Sequence, residues 1–201
     1  LRDGLAALGL NPGLDAPLLA YLALLQKWNA AYNLTAIREP ERMLGLHLLD
    51  SLSIIGAVRG ESLVDIGTGA GLPGLPIAIA RPDLNVSLVE PVGKKARFLR
   101  EVVRQLGLAN VRVHACRAEQ LDEPGRHDCL SARALGSLAQ LIAFGGHLLK
   151  PGGELLAMKG QWPAEELAAL PAGWILKNSL RLAVPEVEGE RHLLVLTQGA
   201  A

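Results

Sequence analysis

The stretch Asp65-Ile-Gly-Thr-Gly-Ala-Gly-Leu-Pro-Gly74 limits the fold more than any other part of the chain. It ends the short apolar run Ser62-Leu-Val-Asp-Ile66 and leads into residues of helical character from Leu72 to Ala80. A buried strand that enters a glycine-rich turn and leaves as a helix has that form. The glycines permit the tight turn and let a ligand approach the backbone, while the amides of the following helix end offer donors. Further apolar runs lie at 85–89, 111–115, 129–131 and 154–158, with stretches of helical character between them. The clearest, Gly93 to Leu106, sets Phe98, Leu99, Val102, Val103 and Leu106 in one stripe and has Gly107 as its C-cap. Strand alternating with helix predicts a parallel sheet covered on both faces.

The two ends differ from this middle. Trp174–Leu182 and His192–Thr197 are strand-like runs joined without a helix-length segment, so the last pair is expected to be antiparallel. From Ala16 to Tyr32 and from Met43 to Val58, apolar residues recur at helical spacing. The expected fold is therefore α/β and Rossmann-like: a seven-stranded, mostly parallel sheet with its last strand antiparallel, over residues 59–201. A helical N-terminal extension over 1–58 is expected to cover one end of it.

Composition narrows the setting. Half of the 201 residues are hydrophobic and a fifth are charged, which supplies a core and excludes general disorder. Lys and Arg number 20 against 20 acids, so the chain is no histone-like polycation. The longest uncharged run, Ala134 to Leu149, falls short of the ~20 apolar residues that span a bilayer and contains Gln140 and His147. Two cysteines, Cys116 and Cys129, are too few for a disulfide framework or a Cys-rich zinc site. A cytoplasmic protein without membrane or metal is expected, and the first ten residues show no cleavable signal pattern.

The glycine turn admits two nucleotide readings. From Gly69 it spells Gly-x-Gly-x-x-Gly, with Glu90 21 residues on, which nominally satisfies the dinucleotide fingerprint. Register argues against it. The first glycine after the strand is Gly67, and counting from there puts Leu72 where helix and strand should meet closely. The other ligand of this crevice, S-adenosylmethionine, has no pyrophosphate to seat. Asp65 at the end of the first strand is suited to its amino group, directly or through water, and Glu90 after the second strand to both ribose hydroxyls. Ala118 and Glu119 follow the third strand, where adenine is commonly read by a backbone amide and an acid.

With Leu149-Lys-Pro-Gly-Gly153 ahead of the fifth strand, the chain resembles the class I S-adenosylmethionine-dependent methyltransferases. More narrowly, it resembles the bacterial 16S ribosomal RNA guanine-N7 methyltransferase G family, also called glucose-inhibited division protein B. The matching segments are Asn33-Leu-Thr35, His47-Leu-Leu-Asp-Ser51, Asp65 to Gly74, Gly93-Lys-Lys-Ala-Arg-Phe-Leu99, Ser131-Ala-Arg-Ala134 and Lys159-Gly160. The resemblance implies cofactor contacts at Gly67, Leu72, Ala118, Glu119 and Arg133, and Gly69 stands in the same turn. Two positions depart from the family habit. Leu46 stands where Lys or Arg usually precedes the histidine, with Arg42 one turn earlier as a substitute, and Pro91 follows Glu90 where Ser is common. The implied substrate is 16S RNA or the small ribosomal subunit. Nothing in the sequence marks a self-complementary surface, and a monomer is expected.

The residues suit a guanine N7 acceptor. Methyl transfer is an in-line displacement that asks chiefly for positioning. Carbon-5 methylation of a pyrimidine needs a nucleophilic cysteine, and Cys116 and Cys129 lack the usual neighbours. Methylation of an exocyclic amine typically uses a Pro-Pro-aromatic turn, and the chain has no Pro-Pro pair. Guanine N7 presents a lone pair and carries no proton, so no catalytic base is required. His47 and Asp50, three residues apart, are expected to form a packing pair on one helix face. Trp28, Trp162 and Trp174 are expected to be core or rim aromatics.

Charge distribution points to the side that meets RNA. From Pro91 to Arg117 there are seven basic residues against Glu101 alone, a local +6. Arg97, Arg100 and Arg104 lie opposite the apolar stripe; Lys94 and Arg97 sit at the cofactor end and are the expected phosphate contacts, with Lys159 at the end of the fifth strand. The region from Glu154 to Glu190 carries six acids against three bases and suits RNA less well. Three rival readings are a small-molecule methyltransferase on the same fold, a nicotinamide-dependent reductase and a non-enzymatic RNA chaperone.

Overall fold

The short apolar runs all become strands of one sheet. In the computed structural model, which describes residues 1–199, these are β1 (Ser62–Ile66), β2 (Asn85–Val89), β3 (Val111–His114), β4 (His127–Arg133), β5 (Leu149–Lys159), β6 (Trp174–Arg181) and β7 (His192–Gln198). Their order is β3-β2-β1-β4-β5-β7-β6. β1 to β5 are parallel, and β7 runs antiparallel to both β5 and β6. The order reverses at β1, which has β2 on one side and β4 on the other. In open α/β sheets the crevice beyond the strand ends at such a switch point receives the ligand, and the glycine turn occupies it here.

Two strands are longer than their apolar runs. β4 and β5 continue pairing past the hydrophobic centre, with a register shift between His127 and Cys129 that absorbs the Pro-Gly-Gly residues at the start of β5. The extra length of β4 carries Arg133 to the same rim as the glycine turn.

The helices are α1 (Arg2–Ala7), α2 (Asp15–Tyr32), α3 (Pro40–Met43), α4 (Asp50–Leu52), α5 (Gly74–Ala80), α6 (Gly93–Leu106), α7 (Leu138–Gly145) and α8 (Ala164–Ala168). α6 has the expected bounds and ends on Gly107 at φ 64°, a left-handed cap that glycine adopts without a Cβ penalty. Where one helix was expected from Met43 to Val58, α3 and α4 flank the π-helical segment Leu44–Leu49. That wider turn changes the phase of the side chains, and such turns gather at functional sites.

The N-terminal helices form a structural layer of the sheet. On one face a continuous apolar cluster unites Leu18, Tyr21, Leu25 and Leu48 with Leu63, Leu75, Phe98 and Leu193. Trp28 packs on Phe98, with ring centroids 5.7 Å apart, so α2 lies against the apolar stripe of α6. The other face is filled by Val64, Ile66, Leu130, Leu141, Leu155 and Leu196. Residues 1–58 thus share their core with the sheet.

Candidate functional site

Backbone geometry shapes the glycine turn. Gly67, Gly69 and Gly71 take φ of 61°, 62° and 96°, a region that disfavours any residue with a Cβ. A Cβ on Gly67 would also meet the side chain of Leu135 at 2.5 Å, and one on Gly74 would meet Leu88 at 2.4 Å. Gly74 is therefore the close-packing glycine, seven residues beyond Gly67. That spacing departs from the dinucleotide pattern, as the register argument requires.

Asp65 holds this turn from beneath. Its Oδ2 accepts from Gly74 N at 2.9 Å and from the Thr68 hydroxyl, and its Oδ1 accepts from Ser131 Oγ at 2.8 Å. The side chain is fully enclosed. Burial pushes its carboxyl up to about 6, against the opposing pull of those hydrogen bonds. The expected contact of Asp65 with an amino group of the ligand is corrected here, because the carboxylate points into the protein and its neighbours already surround it.

Glu90 joins the turn to α6. Its Oε2 accepts from Gly69 N at 2.9 Å and its Oε1 from Val92 N at 2.8 Å. Each oxygen keeps a second acceptor position. Ala118 opens a single 3-10 turn after β3 and is buried, while Glu119 beside it is exposed.

Arg133 brings the N-terminal layer into the site. Its Nη1 donates to the Leu46 carbonyl at 2.9 Å and to Asp50 Oδ2 at 2.8 Å. His47 is not paired with Asp50: its Nε2 lies 2.9 Å from Thr35 Oγ1 and its Nδ1 3.2 Å from the Leu46 carbonyl. The π-helical phase of Leu44–Leu49 sends the two side chains to different partners, which corrects the expected packing pair. Burial and the neighbouring Arg133 bring the His47 imidazole down to about 4. It is therefore neutral at neutral pH, so Nδ1–H donates to Leu46 and Nε2 accepts from Thr35.

Two adjoining pockets result. One, of about 150 Å³, lies on the turn and is lined by Thr35, Gly67, Thr68, Gly69 and Leu72 among others. The second, of about 340 Å³, is lined by Leu46, Asp50, Met158, Lys159 and Arg191 among others. They share His47, Arg133 and Ala134 as a common wall. Thr35, Thr68, His47, Asp50 and Arg191 are thus site-lining residues to which sequence reasoning gave no binding role. Asn33-Leu-Thr35 and the His47 segment were visible as motifs, but only the fold brings them to Gly67.

The basic margin is present on α6. Lys94, Arg97 and Arg100 are exposed, whereas Arg104 is paired with Glu101 at 2.8 Å. Lys159 differs from the expectation of a phosphate contact. Its ammonium donates to Glu166 at 2.8 Å and to the Gly136 carbonyl at 2.8 Å, and its side chain is only 15% exposed. Glu166 and Gly136 thus occupy its donors at the pocket wall. Neither Cys116 nor Cys129 is among the residues lining the two pockets, and burial pushes the Cys129 thiol up to about 11. Trp28 is a core aromatic, Trp162 lies exposed at the rim against His192, and Trp174 packs over Gly146. Among the described residues no cluster of His, Cys, Asp or Glu could hold a metal ion, and no helix is long and apolar enough to cross a membrane.

Comparison with known proteins agrees with this geometry. The rRNA small subunit methyltransferase G from Stenotrophomonas maltophilia strain K279a is 59% identical over 197 residues, covering 98% of this chain and 93% of the relative. The protein of the same name from Xanthomonas euvesicatoria pv. vesicatoria is 58% identical over 199 residues, covering 99% and 94%. Among solved structures, an Aquifex aeolicus SAM-dependent methyltransferase superposes with a TM-score of 0.59 at 18% identity, covering 79% of this chain and 93% of that one. Thermus thermophilus TrmN superposes with a TM-score of 0.58 at 24% identity, covering 74% and 47%. These two likenesses concern the fold. The profile of the GidB family, rRNA small subunit methyltransferase G, matches residues 15–194, and the chain belongs to that family.

Proposed function

We infer that this protein is an S-adenosylmethionine-dependent methyltransferase that modifies N7 of a guanine in 16S RNA of the small ribosomal subunit. One observation carries the reading. The pocket on the glycine turn and the larger pocket behind Arg133 share a wall, so a donor and a flat acceptor can meet across it. Positioning of this kind is the main demand of an in-line displacement.

The turn fits the cofactor. Its wall is backbone, kept so by the collision a Cβ on Gly67 would make with Leu135. Gly67, Gly69 and Leu72 would border the methionine part, the free acceptor positions of Glu90 would take the ribose hydroxyls, and Ala118 and Glu119 would meet the adenine. When bound, the cofactor supplies an electrophilic methyl group on a sulfonium.

The chain's own groups orient and exclude. Arg133, held by Leu46 and Asp50, fixes the partition between the pockets. Neutral His47 adds no second cation next to the sulfonium. No group has to remove a proton, because N7 carries none. Lys94 and Arg97 are placed to meet phosphates, and Lys159 serves the pocket wall through Glu166. A monomer suffices for this reading, and ribosomal RNA as substrate implies the cytoplasm.

Transfer of tritium from labelled methyl donor to small-subunit RNA tests this reading. Wild type should label the RNA, and Gly67→Arg should neither label it nor bind S-adenosylhomocysteine. Binding of S-adenosylhomocysteine by wild type without label entering RNA, naked or protein-bound, would refute an RNA substrate. A small-molecule methyltransferase would also show little salt dependence, a reductase would bind NADH instead, and a chaperone would stay active as Gly67→Arg.

A further inference from the structure

Of the three tryptophans, Trp162 is the one the fold leaves exposed. Trp28 packs on Phe98 and Trp174 over Gly146, whereas Trp162 is 45% exposed. Tryptophan is highly buried on average, and an open indole is more typical of an interface. Its ring meets His192 at 71° with centroids 5.6 Å apart, an edge-to-face contact that takes up at most one face of the indole. His192 and Gly160, two residues before Trp162, both line the larger pocket. The indole therefore stands at the margin of that pocket.

Sheet order puts this margin on the same rim as the basic helix. β2, β1, β4 and β5 are adjacent and parallel, so their carboxyl ends lie together. Along that rim come Lys94 after β2, the glycine turn after β1, Arg133 at the end of β4 and Trp162 after β5. The basic helix and the indole thus flank the crevice, separated by three strand spacings of about 4.8 Å each. Their charge differs. Lys94 and Arg97 are exposed cations, while Glu165 and Glu190 are exposed acids on the Trp162 side, with a Glu190 oxygen 3.4 Å from His192 Nε2. Phosphates are drawn to the first margin; the second offers a neutral aromatic face. Pro163 follows directly and restricts the backbone of Trp162, so less freedom is lost when the indole is covered.

We propose that Trp162 stacks on the nucleobase next to the acceptor guanine in the RNA strand, and so holds the acceptor in the larger pocket. The proposal rests on the guanine-N7 reading above. A base that enters a pocket leaves its stack at a cost in free energy, and its neighbour loses a stacking partner. The indole supplies the replacement surface. Every base has a π-face, so the contact tolerates any neighbour, and it requires no cation in a margin where acids repel phosphate.

The fluorescence of Trp162 tests the contact directly. Subtracting the emission of Trp162→Phe from that of wild type isolates it, and small-subunit RNA should quench that emission and shield it from acrylamide. Emission unaltered by RNA that wild type methylates overturns the proposal. In methylation kinetics, Trp162→Leu, apolar but without a π-face, should raise KM for RNA by on the order of 10–100-fold. Trp162→Phe should restore most of that loss, and equal KM values for the two variants overturn the proposal. RNA lacking the base on one or the other side of the target guanine gives a third readout. Removal at one of the two positions should raise KM for wild type to a similar degree and leave Trp162→Leu little affected. Wild type indifferent to both removals overturns the proposal whether or not the variants fold, as does an equal loss in Trp162→Leu. Absence of label from intact RNA with wild type would instead reject the guanine-N7 reading, and this inference with it.

Discussion

The phenol of Tyr21 donates a buried hydrogen bond of 2.8 Å to the carbonyl of Ala70, 49 residues further along. This joins α2 to the middle of the glycine turn. Tyr21→Phe keeps the ring against Phe98 and leaves the Ala70 carbonyl without its partner. The expected cost is about 1 kcal/mol or more, which lowers Tm by about 2–4 °C in a chain of this size. Calorimetric titration should also show weaker S-adenosylhomocysteine binding. An unchanged affinity would mean that the N-terminal layer does not help shape the turn.

The two ends of that turn should respond differently to an added methyl group. At Gly74 the new Cβ would press on Leu88 and on Asp65 Oδ2, an overpacking that costs about 1–3 kcal/mol. At Gly69 the space is open and only the φ of 62° resists, at about 1–2 kcal/mol. Gly74→Ala should therefore disturb Asp65 and Ser131, visible as chemical-shift changes on β4, whereas Gly69→Ala should change only the turn and cofactor affinity. Equal changes on β4 from both variants would refute the assignment of Gly74 as the packing glycine.

Two buried groups give pH dependences of opposite sign. The Asp65 carboxyl rises from its usual 3.8 to about 6 in the folded chain, so the folded state binds the extra proton. Its contribution to stability is present at low pH and falls as pH rises between those values. The His47 imidazole falls from 6.5 to about 4, so its contribution is present above 6.5 and is lost as pH falls through that window. Urea unfolding at pH 4.5 and 7.5 should show wild type losing stability relative to Asp65→Asn as pH rises. Nitrogen-15 spectra should show His47 neutral, with its proton on Nδ1, at pH 6. A protonated ring at that pH would contradict the Thr35 and Leu46 assignments.

The charges of α6 should divide by their partners. Lys94→Glu and Arg97→Glu should weaken RNA binding, each reducing the slope of log K against log salt by about 0.7–0.9 per lost phosphate contact. Arg104→Glu should have a smaller effect, because Glu101 already engages that guanidinium. Lys159→Met should leave the slope unchanged and loosen the packing of Glu166. A salt slope that fell as much for Lys159→Met as for Arg97→Glu would restore Lys159 as a phosphate contact.

Much of this architecture was legible in the sequence. The runs at 62–66 and 85–89 and the helix at 93–106 coincide with the elements observed, because each signal is local: an apolar run, a stripe, a glycine cap. The N-terminal part of the site was less legible. Thr35, His47 and Asp50 owe their roles to Arg133, which is 83 residues from Asp50, and to a π-helical turn whose side-chain phase ordinary helical spacing does not give. Lys159 looked free because its partner Glu166 approaches only after the chain turns back through α8. Asp65 stood at the right strand end, but tertiary packing placed its carboxylate on the inner side of the turn.

Borohydride/aniline cleavage of 16S RNA, which breaks the chain at N7-methylated guanine, links the site to its chemistry in the cell. RNA from cells with the wild-type protein should be cut at one guanine, and the cut should vanish in its absence and fail to return with Gly67→Arg. Cleavage at every N7-methylated position that is unchanged when the protein is absent would contradict guanine N7 as the acceptor.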